Sequence, residues 1–303
     1  MFKNILAIRD DRFGEFLLNI PALRALKESF PAAKLTVMVS AEARELAGKI
    51  SCVDEVLVSP KAKGLMEALK LAGDLKSRNF DACAVLNPRK ESHLAVFFAG
   101  IPVRAGYNRK WGFLLTHKIK DLKHEGARHE VEYNLELVRV LGAKTDDASV
   151  NLSGIPESAD YRNAVAVHPY TSDPLKQWPA ERFKELTARI SRELSAKVII
   201  IGKSDSPREW GGEGGDLTNK TSLVELAAIL KSCKLIISGD SGPVHLACAV
   251  GIPVVALFRN DLPGKTAKRW GPWGKGCAVI EKDSLNDITV DEVLNLLRQI
   301  IKP

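Results

Sequence analysis

At 303 residues the chain is longer than one hydrophobic core usually serves, so two domains are expected. Its 45% hydrophobic and 27% charged content excludes a disordered chain, and no apolar stretch reaches the ~18 residues that a membrane span needs. A formal net charge of +7 favours an anionic partner, whether nucleotide, nucleic acid or anionic lipid.

In chain order, NILAIR at Asn4 to Arg9 reads as a first strand, its apolar run being too short for a secretory signal. Phe16, Ile20, Leu23, Leu26 and Phe30 follow at spacings of three and four, which predicts a helix. KLTVMV, VDEVLV and DACAVL recur as strands between helical stretches such as GLMEALKLAGDLKSR, and HEVEYNLELVRVLGA closes the first half as a helix. The polar, aperiodic run from Lys144 to Asn163 predicts a linker, hence domains over 1–155 and 156–303. Beyond it AVAVH, KVIII, KLIIS and PVVALF predict strands, with helices after Trp178, around Leu223 to Lys231 and after Gly242. TVDE at Thr289 to Glu292 predicts a capping box opening the last helix. Alternating strands and helices imply βαβ units, mainly parallel sheets, and a default ligand site in a cleft between the halves. Five scattered cysteines without a CxxC pair read as free thiols in a reducing cytosol, so a cytoplasmic location is expected.

The stretch SGDSGPVHLACAVGIPVVALF, from Ser238 to Phe258, sets Asp240, Ser241 and His245 around a Gly-Pro turn. KLIIS is a continuous apolar strand, so the turn falls at its carboxyl end, where open α/β sheets bind ligands. Gly242 and Pro243 suit a helix start and Gly251 its stop. The N–H groups of Ser241 to Val244 then point to where a phosphate can sit. A trypsin-like reading of GDSGP needs an all-β scaffold, and Pro243 breaks the G-x-S-x-G elbow. The competing reading is structural: Asp240 and Ser241 cap a helix and His245 sits in the core. IGKS at Ile201 to Ser204 lacks the upstream glycine of a P-loop, since that position is Lys197. No GxGxxG follows the first strand, and GGEGGD at Gly211 to Asp216 reads as a mobile loop. Six histidines show no HExxH or paired-ligand spacing, so no metal site is expected.

Three segments together resemble glycosyltransferase family 9, the ADP-heptose:lipopolysaccharide heptosyltransferase family. They are RDDRFGEFLLNIPALRALKESFPAAKLTVMV, VHPYTSDPLKQWPAERF and the Gly-Asp-Ser-Gly-Pro-Val-His turn with GIPVVALF after it. HLAVFFAGIPVRAGYNRKWGFLLTHKI and HEVEYNLELV are similar to further family segments, so the likeness spans most of the chain in order. It implies a GT-B fold, α/β with two Rossmann-like domains whose parallel sheets face a central cleft. The donor nucleotide-sugar would bind the C-terminal domain and the acceptor the N-terminal one.

By the same resemblance, Asp240, Ser241, Gly242 and His245 would surround the donor diphosphate and ribose, with Thr171, Ser172 and Lys176 on the phosphates. Gly202, Asp205 and Thr221 complete the implied donor set. N–H donors, a hydroxyl and a Lys stabilise a leaving diphosphate without metal, and no cofactor is implied beyond the nucleotide-sugar substrate. The plainer reading of Lys176 is a solvated surface lysine. Glu15, after Gly14, matches the family's proposed catalytic Asp and would take the acceptor proton; its plainer reading is an acid at a helix N-terminus. Arg104, Arg109 and Lys110 open a basic run to Arg128 interleaved with Trp111 and Phe113, which suits an anionic glycolipid acceptor, or contact with the cytoplasmic face of the inner membrane. The chain departs from the pattern in Glu15 itself, in RND at Arg259 to Asp261 where the family has Gly-Pro-Thr, and in Lys203-Ser204-Asp205. These bear on which sugar and nucleotide the donor carries. The implied activity is inverting, metal-independent glycosyl transfer, heptose from ADP-heptose in the first instance. The alternative is a GT-B protein that binds nucleotide or carbohydrate without transferring it. A nucleic-acid-binding module ranks last.

Overall fold

The computed structural model describes residues 2–60 and 64–301. The chain divides into two compact units, 1–124 with 130–153, and 125–129 with 154–303. The stretch called a linker is tied down on either side of this division. Arg24 Nη1 donates to the carbonyls of Asp147 (2.8 Å) and Ser149 (2.9 Å) in the first unit. Lys231 Nζ reaches the Ile155 carbonyl at 2.7 Å in the second.

The first unit is a six-stranded, fully parallel sheet in the order β3-β2-β1-β4-β5-β6. Its strands are β1 (Asn4–Arg9), β2 (Lys34–Val39), β3 (Glu55–Val58), β4 (Ala82–Val85), β5 (Val103–Tyr107) and β6 (His117–Ile119). The helices are α1 (Phe13–Leu17), α2 (Ile20–Ser29), α3 (Arg44–Ala47), α4 (Leu65–Lys76), α5 (Lys90–Phe98) and α6 (Glu130–Arg139). The single helix expected over Phe16 to Phe30 is two, broken at Leu18-Asn19, where Asn19 Nδ2 bonds back to the Glu15 carbonyl at 2.8 Å. The side chain competes there with the helix's own N–H donors. Strands β1, β2 and β4 are buried along nearly their whole length, which is why they read as unbroken apolar runs. The periodicity analysis picked out neither α5, β5 nor β6. Helix α5 is polar over its first four residues and apolar over the rest, VRAGY carries an Arg and a Gly, and the edge strand β6 is mostly exposed.

The second unit is a five-stranded parallel sheet, β11-β10-β9-β7-β8. It is built from β7 (Val165–His168), β8 (Val198–Ile200), β9 (Leu235–Gly239), β10 (Val254–Arg259) and β11 (Ala278–Lys282). Helices α7 (Ala180–Leu194), α8 (Leu223–Ser232), α9 (Gly242–Val250), α10 (Ala267–Trp270) and α11 (Val290–Ile300) complete it. The Thr289/Glu292 capping box is formed, with Glu292 N donating to Thr289 Oγ1 at 3.2 Å and Thr289 N to Glu292 Oε2 at 2.8 Å. GGEGGD does not behave as a loose loop. Gly214 N donates to the Val198 carbonyl (2.9 Å) and Ile200 N to the Gly215 carbonyl (3.0 Å), so the segment covers the free edge of β8. A Cβ on Gly214 would stand 2.5 Å from the Val198 carbonyl oxygen, so backbone-on-backbone packing explains the glycine.

Candidate functional site

In each unit the chain winds outward from a switch point, between β1 and β4 in the first sheet and between β7 and β9 in the second. Connections leave in opposite directions at such a point, opening a crevice at the strands' carboxyl ends. Most of the side chains singled out from sequence fall on those two edges.

In the second unit the segment after β7 and the turn after β9 meet. Lys176 pairs with Asp240, and neither is more than about a quarter exposed. A buried anchor sets the height of the Lys176 segment. Trp178 is 1% exposed, packs edge-on to Phe183 and donates Nε1 to the Ile288 carbonyl at 3.0 Å. Gln177 Nε2 closes the segment on itself through the carbonyls of Pro169 (3.0 Å) and Trp178 (2.8 Å). The Lys-x-Trp-Pro spacing thus places an ammonium two residues before a fixed indole. The solvated-lysine reading of Lys176 does not describe this position.

Beneath the turn, His168 Nδ1 meets the Oγ of Ser238 (3.0 Å) and of Ser241 (3.2 Å), and the two hydroxyls lie 2.7 Å apart. Burial pushes the His168 imidazole down to about 4, so it is neutral at pH 7. This triangle holds Ser241, the N-cap of α9, in an extended conformation at φ −154°. Gly242 is the first helical residue and Pro243 the second. Val244 N turns back to the Ser241 carbonyl at 3.2 Å, and Pro243 has no N–H. Of the expected run of donors, Ser241 and Gly242 therefore remain to face an anion. His245 is 4% exposed, one turn into α9.

A concavity at this edge is lined by Asp173, Lys176, Asp240, Phe258, Arg259 and Lys265 among others. Three cations stand against two carboxylates here, a balance that suits an anion, and Asp240 holds Lys176 in place. Arg259 and Lys265 are the residues that sequence reasoning missed. Arg259 stands where a family motif is lost, yet its Nη1 donates to the Leu175 carbonyl at 3.2 Å and it pairs with Asp261. The signal lay in the charge of the loop after β10, not in a motif match.

Thr171 Oγ1 accepts from Asp173 N at 3.1 Å, bracing the same segment, and Ser172 is exposed beside it. Gly202 follows β8 at φ +137°, where a Cβ would lie 2.6 Å from Tyr170 and 2.9 Å from His168. Asp205 is exposed on the next bend, and Thr221 is half-buried just ahead of the α8 capping box. None of these last three lines the concavity.

In the first unit Glu15 lies in α1, just past the carboxyl end of β1. The buried Arg9 reaches Asp11 Oδ1 (2.8 Å), Glu15 Oε2 (3.0 Å) and Glu130 Oε1 (3.3 Å) with three different nitrogens. Burial pushes Asp11 up to about 7, while Arg9 opposes and the neighbouring Glu15 reinforces the rise. Burial also works against Glu15, but its bond to Asp11 and the charges of Arg9 and Arg12 outweigh it and hold Glu15 below the usual carboxylate range. The pair is thus split, Asp11 being the readier of the two to hold a proton and Glu15 the readier to lose one. Asp10, 1% exposed in its side chain, accepts from Ser59 Oγ at 2.7 Å and pairs with Arg89 beyond β4. Arg9, Asp10, Asp11 and Arg89 were not singled out from the sequence, where RDDR gave no hint that alternate residues face different partners.

The three basic candidates separate. The register aligns Arg104 with Cys83 and Leu6, three residues short of Arg9 along the sheet, so it lies toward the opposite edge from Glu15. Arg109 and Lys110 follow the carboxyl end of β5, both exposed, and Arg109 pairs with Asp121 at 3.2 Å.

Comparison with known proteins bears on the fold and the family. Lipopolysaccharide heptosyltransferase 2 of Escherichia coli is 26% identical over 296 residues, covering 86% of this chain and 84% of its own. A glycosyl transferase family 9 structure from Veillonella parvula superposes with a TM-score of 0.84 at 20% identity, covering 98% of this chain and 97% of that one. The E. coli heptosyltransferase WaaC, solved with ADP, gives a TM-score of 0.80 at 18% identity, covering 98% and 99%. The fold is the GT-B arrangement of two parallel α/β units. The family model for glycosyltransferase family 9 (heptosyltransferase) matches residues 68–293, from α4 to α11, and the chain belongs to that family.

Proposed function

We propose that this enzyme transfers a heptose from ADP-heptose to an anionic glycan acceptor of the lipopolysaccharide-core type, with inversion at the anomeric carbon. The observation that carries the donor half is the buried Trp178 holding Lys176 against the Asp240–Gly242 turn, beside Arg259 and Lys265. Similarity to a structure that holds ADP supports the choice of nucleotide.

In this reading the acceptor hydroxyl gives its proton to Glu15, and its oxygen bonds to the anomeric carbon as the sugar–phosphate bond breaks. The electron pair leaves with the diphosphate, whose growing charge meets Lys176 and the N–H groups of Ser241 and Gly242. When protonated, Asp11 donates to Glu15, and Arg9 fixes the Glu15 carboxylate. The Ser241 hydroxyl orients the turn through neutral His168. The domain over 156–303 takes the donor and that over 1–155 the acceptor.

Calorimetric titration with ADP, UDP, GDP, CMP and dTDP tests the donor half. ADP is expected to bind selectively, and Lys176→Ala to weaken it by roughly tenfold or more, as for loss of one charge-assisted contact. Selective binding of another nucleotide would discard ADP-heptose, and binding of none would return the turn to a structural role.

A further inference from the structure

A line of buried charges runs inward from Glu15, and the transfer step uses only its outer end. Arg9 turns a different nitrogen to each of Asp11, Glu15 and Glu130, and Nη1 also donates to the Leu86 carbonyl at 3.3 Å. Glu130, 1% exposed in the first turn of α6, meets Arg9 with Oε1 and takes Lys123 Nζ on the same oxygen at 2.5 Å. Lys123 itself is buried in the turn ahead of α6, its ammonium 4.4 Å from the centre of the Tyr107 ring. Burial strips an ammonium of its water, so a lysine stays charged there only where partners replace that water.

Lys123 reaches the Glu15 helix by a second route. Its Nζ lies 3.3 Å from Asn134 Oδ1, one turn further along α6, and Asn134 Nδ2 donates to the Leu18 carbonyl at 3.2 Å. Leu18 caps the end of α1, the helix that carries Glu15. One ammonium therefore touches both the carboxylate that shares Arg9 and the amide that ties down α1.

We propose that Lys123 and Glu130 are positioning residues for Glu15, acting through Arg9 and not on the substrate. Lys123 neutralises Glu130, which leaves the guanidinium to engage Asp11 and Glu15. The contact of Arg9 with Glu130 is the longest of its three, as expected of a carboxylate already held by another cation. The other charges facing this group are Arg12 at the head of α1, the Asp10–Arg89 pair and, around Tyr107, Asp121 and Glu136. In the ionisation of Glu15 the Glu130 charge opposes Arg9 and Arg12. The role rests on Glu15 as the base, yet the charge coupling can be read with no substrate present.

The experiment is an NMR titration of protein labelled at its Asp and Glu carboxyl carbons, following the Asp11 signal, which Asp11→Asn identifies by its loss. Glu130→Gln removes a negative charge, so Asp11 should release its proton more readily and its titration fall by roughly 0.5 to 1 in pH. Lys123→Met leaves Glu130 pulling on Arg9, so the titration should rise, by roughly 0.3 or more. Lys123→Met with Glu130→Gln removes both charges and should return the titration close to wild type, where Lys123→Arg should also hold it. If Lys123→Met alone does not fold, adding it to Glu130→Gln must still move the titration back up. Unchanged titrations would overturn the proposal, as would single variants that both move the same way, which is what loosening of the fold produces. With ADP-heptose and a lipopolysaccharide-core acceptor, the acid limb of kcat should follow the same order. Shifted titrations beside an unshifted limb would remove Glu15 as the base, and the positioning role with it, while leaving the charge coupling in place.

Discussion

Arg9 presents one guanidinium to three carboxylates, and the sharing sets how readily each of them ionises. A lone Glu beside a cation is simply ionised. Here burial raises the Asp11 carboxyl, while Glu15, bonded to Asp11 and beside Arg9 and Arg12, is held below the usual carboxylate range. Glu15→Gln is therefore expected to lower sugar transfer by roughly 10²–10⁴-fold while leaving nucleotide affinity unchanged. Single-turnover assay beside calorimetry checks this, and undiminished transfer would remove the base role. The candidate at Glu15 was legible through the family resemblance, which its place after Gly14 at the end of a predicted strand made specific. Its partners were not, because Glu130 lies 121 positions from Arg9 and only the packing of α6 brings them together.

At the scale of elements, the second unit's site is a strand, a turn and a helix held in register by a neighbouring loop. Gly202 marks where that loop cannot move. Its φ of +137° is the region that favours glycine, and the Cβ it lacks would strike Tyr170 and His168. Gly202→Ala is expected to cost about 1–3 kcal/mol in urea unfolding and to loosen the His168 contact with Ser241. It should weaken ADP binding as well as stability, and normal binding in a destabilised protein would show that the turn is held without this loop. The elements read most securely were the buried strands, whose apolar runs report burial on both faces. Elements at sheet edges were missed: β6 and β11 alternate or lie mostly exposed, so periodicity had little to detect. GGEGGD was misread for a related reason, since glycines that admit a close backbone look the same in sequence as glycines of a loose loop.

For the molecule as a whole, His168 links stability to pH. Its pKa in the fold is about 4 against 6.5 for a free imidazole, so between those values the unfolded chain binds the extra proton. Stability is then fully present above about pH 6.5 and lost as pH falls towards 4, by ~3 kcal/mol from this group. Urea midpoints for wild type and His168→Asn across that range check the sign. The variant should show a shallower loss, and parallel curves would mean that His168 titrates normally. Among the described residues no helix is long and apolar enough to cross a membrane. The basic composition, visible at once, says that anions matter. It does not say where, because net charge carries no position.

The sequence by itself determined the architecture, because apolar runs, helix caps and turn residues act over a few positions, and the ordered resemblance of several segments pointed to the family. It also supplied the turn at Asp240 to His245 from its own residues, and Lys176 and Glu15 as candidates through that resemblance. Tertiary structure alone decided that Lys176 faces Asp240, that Arg259 and Lys265 join them, and that Arg9 and Asp11 govern Glu15. It also decided that Arg104 lies away from Glu15's edge of the sheet. Those outcomes depend on which strands become neighbours and in what register, and these are set by burial summed over the whole chain.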